Sequence, residues 1–140
     1  NQNQYALLSN LALFISVFKN NQTQQDGLEN DKNSDLFTRF IQLAESNFTT
    51  QRSADFYAQK MHLSLHKINA VVKDRTGMTV KRFLIELLLI EAKRLVVYSS
   101  MSVKEIAYQL AFLEPPHFTN FFKKHSGASP SNFRRNNLNK

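Results

Sequence analysis

SVKEIAYQLAFLEPPHFTNFFKKHSGASPSNFR, residues 102–134, reads as two helices joined by a tight turn, with a third helix beginning at its end. Ser102 followed by Glu105 is a capping box, in which hydroxyl and carboxylate satisfy the first free N–H groups of a helix. That helix ends near Leu110. The next runs from about Pro115 to His125, with proline early, where a helix has no partner for the missing N–H. Gly127 closes it, and Ser129-Pro130 opens a short last helix.

The same grammar occurs once earlier. SADFYAQKMHL (53–63) lies over SVKEIAYQLAF (102–112) at an offset of 49. After one inserted residue the offset is 50, pairing Ile68 with Phe118, Val72 with Phe122, Lys73 with Lys123, Gly77 with Gly127 and Phe83 with Phe133. In each copy a short helix carries a small residue, Ala58 or Ala107, where a second helix crosses closely. A turn with an apolar plug follows, Leu63 or Phe112. The second helix then shows apolar residues inward and polar ones outward. That is a helix-turn-helix, here present twice, at about 53–76 and 102–126.

Between the copies, residues 79–98 form one long helix with an apolar arc too wide for a surface position: Val80, Phe83, Leu84, Leu87, Leu88, Ile90, Ala92, Leu95 and Val96. Upstream, Leu36, Phe37, Phe40, Ile41, Ala44 and Phe48 predict a helix from Asp35 to about Asn47. Residues 19–34, polar and rich in Asn and Gln, read as a flexible linker. Before it, Leu7, Leu11, Phe14 and Phe18 form a seam on a helix over 5–18. Two readings of that seam stay open, packing within its own chain or pairing with a second copy. The expected architecture is all-α: two helix-turn-helix subdomains joined by a long linker helix and preceded by a separate N-terminal helix. The domains are 1–18, a linker at 19–34, and 35–140.

The chain of 140 residues carries a formal charge of +7. Up to Asp35 two lysines face four acids, so the excess of basic charge lies entirely in the remainder. A basic helical block points to a polyanion, nucleic acid first. With no cysteine there are no disulfides, thiolate zinc sites or cysteine nucleophiles, as suits a cytoplasmic protein. There is no metal-spaced His pair, Gly-rich phosphate loop or nucleophile beside its base, so neither an enzyme nor a cofactor is expected. No apolar run is long enough for a membrane span. The chain opens at Asn1 rather than Met, and a longer protein is expected.

Over about residues 35–135 the chain resembles the AraC/XylS family of transcription regulators. Residues 102–134 are similar to that family's C-terminal motif nearly throughout, and GMTVKRFLIELLLIEAKRLV (77–96) fits its linker helix. Ala111 stands where the family usually has glycine before the Phe, suggesting a less tight turn. Ala70 and Asn120 stand where many members have arginine. The resemblance implies an upstream effector-binding or dimerising domain, of which residues 1–18 would be the last helix. It also implies a cytoplasmic regulator for which activation by contact with RNA polymerase is typical, and repression stays open as the alternative.

In a helix-turn-helix the second helix enters the major groove of double-stranded DNA. Its outward base-reading candidates are His66 and Asn69 in the first unit and Pro116, His117 and Asn120 in the second. Asparagine pairs bidentately with adenine, and histidine can donate or accept at a base edge. Ser64, Lys67, Lys73, Thr119, Lys123 and Lys124 are candidates for phosphate, which positions without specifying. Phe118, Phe121, Phe122 and Phe133 read as core rather than a base-stacking platform. Two other readings stay open: a helical protein-interaction module using the N-terminal seam, and a sequence-independent nucleic-acid binder.

Overall fold

A computed structural model describes residues 14–17 and 28–138, and their regular structure is entirely helical. Residues 14–17 belong to a helix, α1. There follow α2 (Leu28–Asn47), α3 (Ala54–Lys60), α4 (Leu65–Thr76), α5 (Val80–Tyr98), α6 (Val103–Gln109), α7 (Pro115–Ser126) and α8 (Pro130–Leu138). These residues divide into two compact units, one ending at Glu86 and the other beginning at Leu87, so the division falls inside α5.

In the first unit α2, α3 and α4 pack on one another. Phe37, Phe40, Ile41, Tyr57, Ile68, Val72 and Phe83 are fully buried. The Phe40 ring lies 5.6 Å from both Tyr57 and Phe83. The Tyr57 hydroxyl donates to the Gln51 carbonyl at 2.7 Å, so the buried phenol has its partner. Burial pushes its pKa up to about 12. Phe14 of α1 stacks 5.7 Å from Phe83, and Ile15 is buried. Phe14 thus packs within its own unit. The other seam residues, Leu7, Leu11 and Phe18, lie outside the described residues.

One boundary differs from the sequence reading. Helix α2 begins at Leu28, seven residues before Asp35, so 28–34 is helix rather than linker. The polar stretch lacks apolar periodicity, but its end is held by tertiary bonds. Arg75 donates to Ser34 Oγ at 2.7 Å, and Lys67 Nζ lies 3.4 Å from Asn33 Oδ1.

In the second unit α7 packs on α6 and α8. Phe118 and Phe122 are fully buried, and Phe112 stacks on Phe118 at 5.3 Å and on Phe121 at 5.5 Å. Phe133 meets Phe122 edge-on at 5.2 Å. Arg134 ties α8 to the end of α5, donating to the carbonyls of Val96 (2.6 Å) and Met101 (2.7 Å). The capping box of α6 is complete, with Ser102 and Glu105 each bonding the other's backbone N–H.

The two helix-turn-helix turns are the same turn. In each, the plug N–H reaches back to the small residue's carbonyl, Leu63 to Ala58 and Phe112 to Ala107, both at 2.9 Å. The residue before the plug bonds one turn back, His62 to Gln59 and Ala111 to Tyr108. This is a Schellman closure, which places one residue in the left-handed region. That residue is His62 (φ 56°) in one copy and Ala111 (φ 61°) in the other. The turn at Ala111 is therefore not looser for lacking glycine. It keeps the same geometry and carries the strain of a Cβ at positive φ. Ala111→Gly is expected to stabilise the second unit by about 1 kcal/mol, net of the greater freedom of glycine when unfolded. Thermal unfolding would show it as a rise of a few degrees.

Candidate DNA interface

The repeat places two sets of side chains in equivalent positions. On α4 the exposed row is His66, Lys67, Ala70, Lys73 and Asp74; on α7 it is Pro116, His117, Asn120, Lys123 and Lys124. The rows correspond member for member at the offset of 50. Each follows positions i, i+1, i+4, i+7 and i+8, one face of a helix. The opposite face supplies the core, with Ile68, Val71 and Val72 buried on α4 and Phe118 and Phe122 on α7. Burial of one face fixes the rotation of the helix, so the row is presented outward by packing.

The helix starts differ in chemistry but reach the same result. Ser64 caps α4, its hydroxyl accepting from Lys67 N–H at 3.0 Å. Its own hydroxyl hydrogen is still a donor for a phosphate. Helix α7 starts after Glu114, which makes no side-chain cap, and has Pro115 and Pro116 in its first two positions. Two prolines remove two of the N–H groups that a cap would otherwise satisfy. The helix ends also match. Gly77 (φ 74°) and Gly127 (φ 86°) close them in the left-handed conformation. Just before each, a hydroxyl bridges the exit: Thr76 bonds Val72 O at 2.8 Å, and Ser126 bonds Phe122 O at 2.6 Å. That hydroxyl pair was not singled out from the sequence, although Thr76 and Ser126 stand at the repeat offset.

Of the base-reading candidates, His66, Pro116, His117 and Asn120 are exposed in these rows. Asn69 is not among them. Its Oδ1 accepts from the backbone N–H of Val80 at 3.0 Å, so its carboxamide is turned to the start of α5. The repeat explains why. The residue equivalent to Val80 is Pro130, which has no N–H to satisfy, and the residue equivalent to Asn69 is Thr119. Asn69 is a helix cap supplied from a neighbouring helix. Asn69→Ala is expected to cost about 1–2 kcal/mol in thermal or urea unfolding, the usual loss of a cap, and to leave the ranking of DNA sequences unchanged.

Among the phosphate candidates, Lys73, Lys123 and Lys124 stand exposed on the rows, and Lys67 leans toward α2 through Asn33. Thr119 is half-buried and off the row, sharing the flank that Asn69 occupies in the first unit. His125 stacks on Phe121 at 4.8 Å near the end of α7. Arg94 is held by Glu91 through two hydrogen bonds, which together with the nearby carboxylate raise its pKa despite partial burial. Among the described residues no group of three or more His, Cys, Asp or Glu could hold a metal ion, and no helix is long and apolar enough to cross a membrane.

A family described as "Helix-turn-helix domain" matches residues 57–136, which run from within α3 into α8. The transcriptional activator RhaS of Escherichia fergusonii is 33% identical over 109 residues, covering 77% of this chain and 39% of that protein. The chain belongs to the AraC/XylS family. It forms that family's C-terminal DNA-binding domain. RhaS of Escherichia coli strain SE11 is 31% identical over 111 residues. The chain spans about two-fifths of the length of these relatives. Solved structures share the fold. The C-terminal domain of the response regulator yesN from Fusobacterium nucleatum aligns with a TM-score of 0.66 at 23% identity, over 71% of this chain and 98% of that one. The DNA-binding domain of AdpA, solved with a target DNA, aligns with a TM-score of 0.63 at 23% identity, over 70% of this chain and 88% of that one.

Proposed function

We propose that this chain is the sequence-specific DNA-binding part of a bacterial transcription regulator. Each unit places its second helix in a major groove of double-stranded DNA, the two helices taking successive grooves. The observation that carries this reading is the α7 row. His117 and Asn120 stand exposed on a helix whose rotation is fixed by buried Phe118 and Phe122, with Lys123 and Lys124 beyond them. Asparagine and histidine supply groups that base edges recognise, and the lysines supply charge for the backbone.

The work is binding rather than catalysis, and it takes place in the cytoplasm. The likeness to RhaS, described as a transcriptional activator, supports a role in activation, and RNA polymerase is the partner inferred for it. An upstream effector-binding domain would set when the regulator acts, and would supply a homodimer contact. Selection of bound fragments from genomic DNA tests the reading. Recovered duplexes should share a common sequence. Recovery of unrelated sequences at equal affinity would contradict it.

A further inference from the structure

The two exposed rows occupy equivalent positions but do not carry equivalent chemistry. We propose that the recognition helices divide the work unequally: α7 reads bases, while α4, joined by Lys32 of α2, grips backbone phosphate. This rests on the DNA-binding reading above and adds which unit specifies.

Base-reading groups are concentrated on α7. Where α7 has His117 and Asn120, α4 has Lys67 and Ala70. An ammonium group has donors but no acceptor, and alanine has neither. The one carboxamide on α4, Asn69, already bonds Val80 N–H. Helix α4 therefore brings His66 as its one exposed side chain able both to donate and to accept at a base edge, with Lys67 limited to acceptor edges such as guanine, against His117 and Asn120 together on α7.

Charge is distributed in the complementary sense. At the far end of the row α7 has Lys123 and Lys124, whereas α4 has Lys73 and Asp74. The Asp74 carboxylate, 58% exposed, lies 3.8 Å from Arg75 Nε and neutralises it, so this end of α4 offers Lys73 alone where α7 offers two lysines. The grip of the first unit falls instead at the start of α4. There Lys67 leans to Asn33, and a groove of about 400 Å³ is lined by Lys32, Asn33, Leu36 and Lys67. Two ammonium groups and a carboxamide at one groove suit an anionic oxygen, and phosphate is the anion that DNA brings. Lys32 lies outside the stretch matched by the family, 57–136. It belongs to the part of α2 that the sequence reads as linker.

The test uses the whole chain, a selected duplex and a scrambled one, at two salt concentrations. Lys32→Gln with Lys67→Gln should weaken both duplexes alike and lower the salt slope by about 1 for each lysine. Asp74→Lys should strengthen both alike. His66→Ala should change the preference between duplexes less than about threefold, while Asn120→Ala should reduce it by about tenfold or more. The selected sites should share one strongly constrained block and one weak block. Two equally constrained blocks would overturn the division, as would a loss of preference in His66→Ala matching that in Asn120→Ala, or an unchanged salt slope in the lysine variant. Equal binding of both duplexes by the unaltered chain is the separate outcome in which base reading itself falls, and the division with it. Circular dichroism of each variant confirms that the helices are intact.

Discussion

Replacing His117 and Asn120 together by alanine abolishes the chain's preference for its selected DNA and leaves its fold and thermal stability essentially unchanged. Both side chains are exposed on α7, and among the described residues neither carries a side-chain hydrogen bond or ion pair. Their removal creates no cavity and orphans no buried group, so the stability cost is small. Alanine is also a better helix former than asparagine or histidine. Base contacts of this kind are each worth about 1–3 kcal/mol of discrimination. Losing two therefore costs about a hundredfold in the ratio of affinities. Binding to scrambled duplex persists, because Lys123 and Lys124 are untouched and phosphate contact does not depend on sequence. Competition binding with selected and scrambled duplexes checks the outcome. A preference that survives the double substitution would remove α7 as the reader.

Phe118→Ala has the opposite profile, and a large one in stability. Phe118 is fully buried, one position from His117, and its ring meets Phe112 and Phe122 at 5.3 and 5.8 Å. Truncating a phenylalanine in such a site costs about 3–5 kcal/mol. A domain has only about 5–15 kcal/mol in total, so the second unit should melt far below the parent or fail to fold. Phe118→Leu keeps most of the volume and should cost less than about 1.5 kcal/mol. It provides a folded comparison that retains DNA preference. If the Phe cluster were instead a surface for stacking bases, Phe118→Ala would weaken DNA binding while leaving the melting temperature in place. Thermal unfolding and DNA competition on the same two variants separate these cases.

The fold was legible because the sequence contains it twice. Any single helical hairpin pattern is ambiguous, but paired positions at offsets of 49 and 50 tie Ala58 to Ala107, Leu63 to Phe112 and Gly77 to Gly127. Each pair does the same structural job. Caps at Ser102, Gly77 and Gly127 were equally readable, since they act through local backbone geometry, whereas Ser64, read as a phosphate candidate, also caps α4. The start of α2 was not, because Asn33 and Ser34 are held there by Lys67 and Arg75 from distant sequence. Local composition has no access to such bonds.

The site was legible in its faces but not in every member. A carboxamide suits a base edge and a backbone N–H equally well, so Asn69 chemistry alone could not assign it. The discriminating signal sat eleven residues away, in the contrast between Val80 with an N–H and Pro130 without one. The turn at Ala111 illustrates a similar limit. Residue preference suggested a looser turn, but the bonds closing it are those of the first copy, and its backbone follows at the cost of strain.

The most direct test of sequence-specific reading is the ratio of affinities of this chain for a duplex selected from genomic DNA and for its scramble, measured at low and at high salt. Specific base contacts predict that both affinities fall with salt while the ratio stays at about a hundredfold or more, well within the range of specific over nonspecific binding. A ratio near one at both salt concentrations would contradict the account, since all of the binding would then be to phosphate.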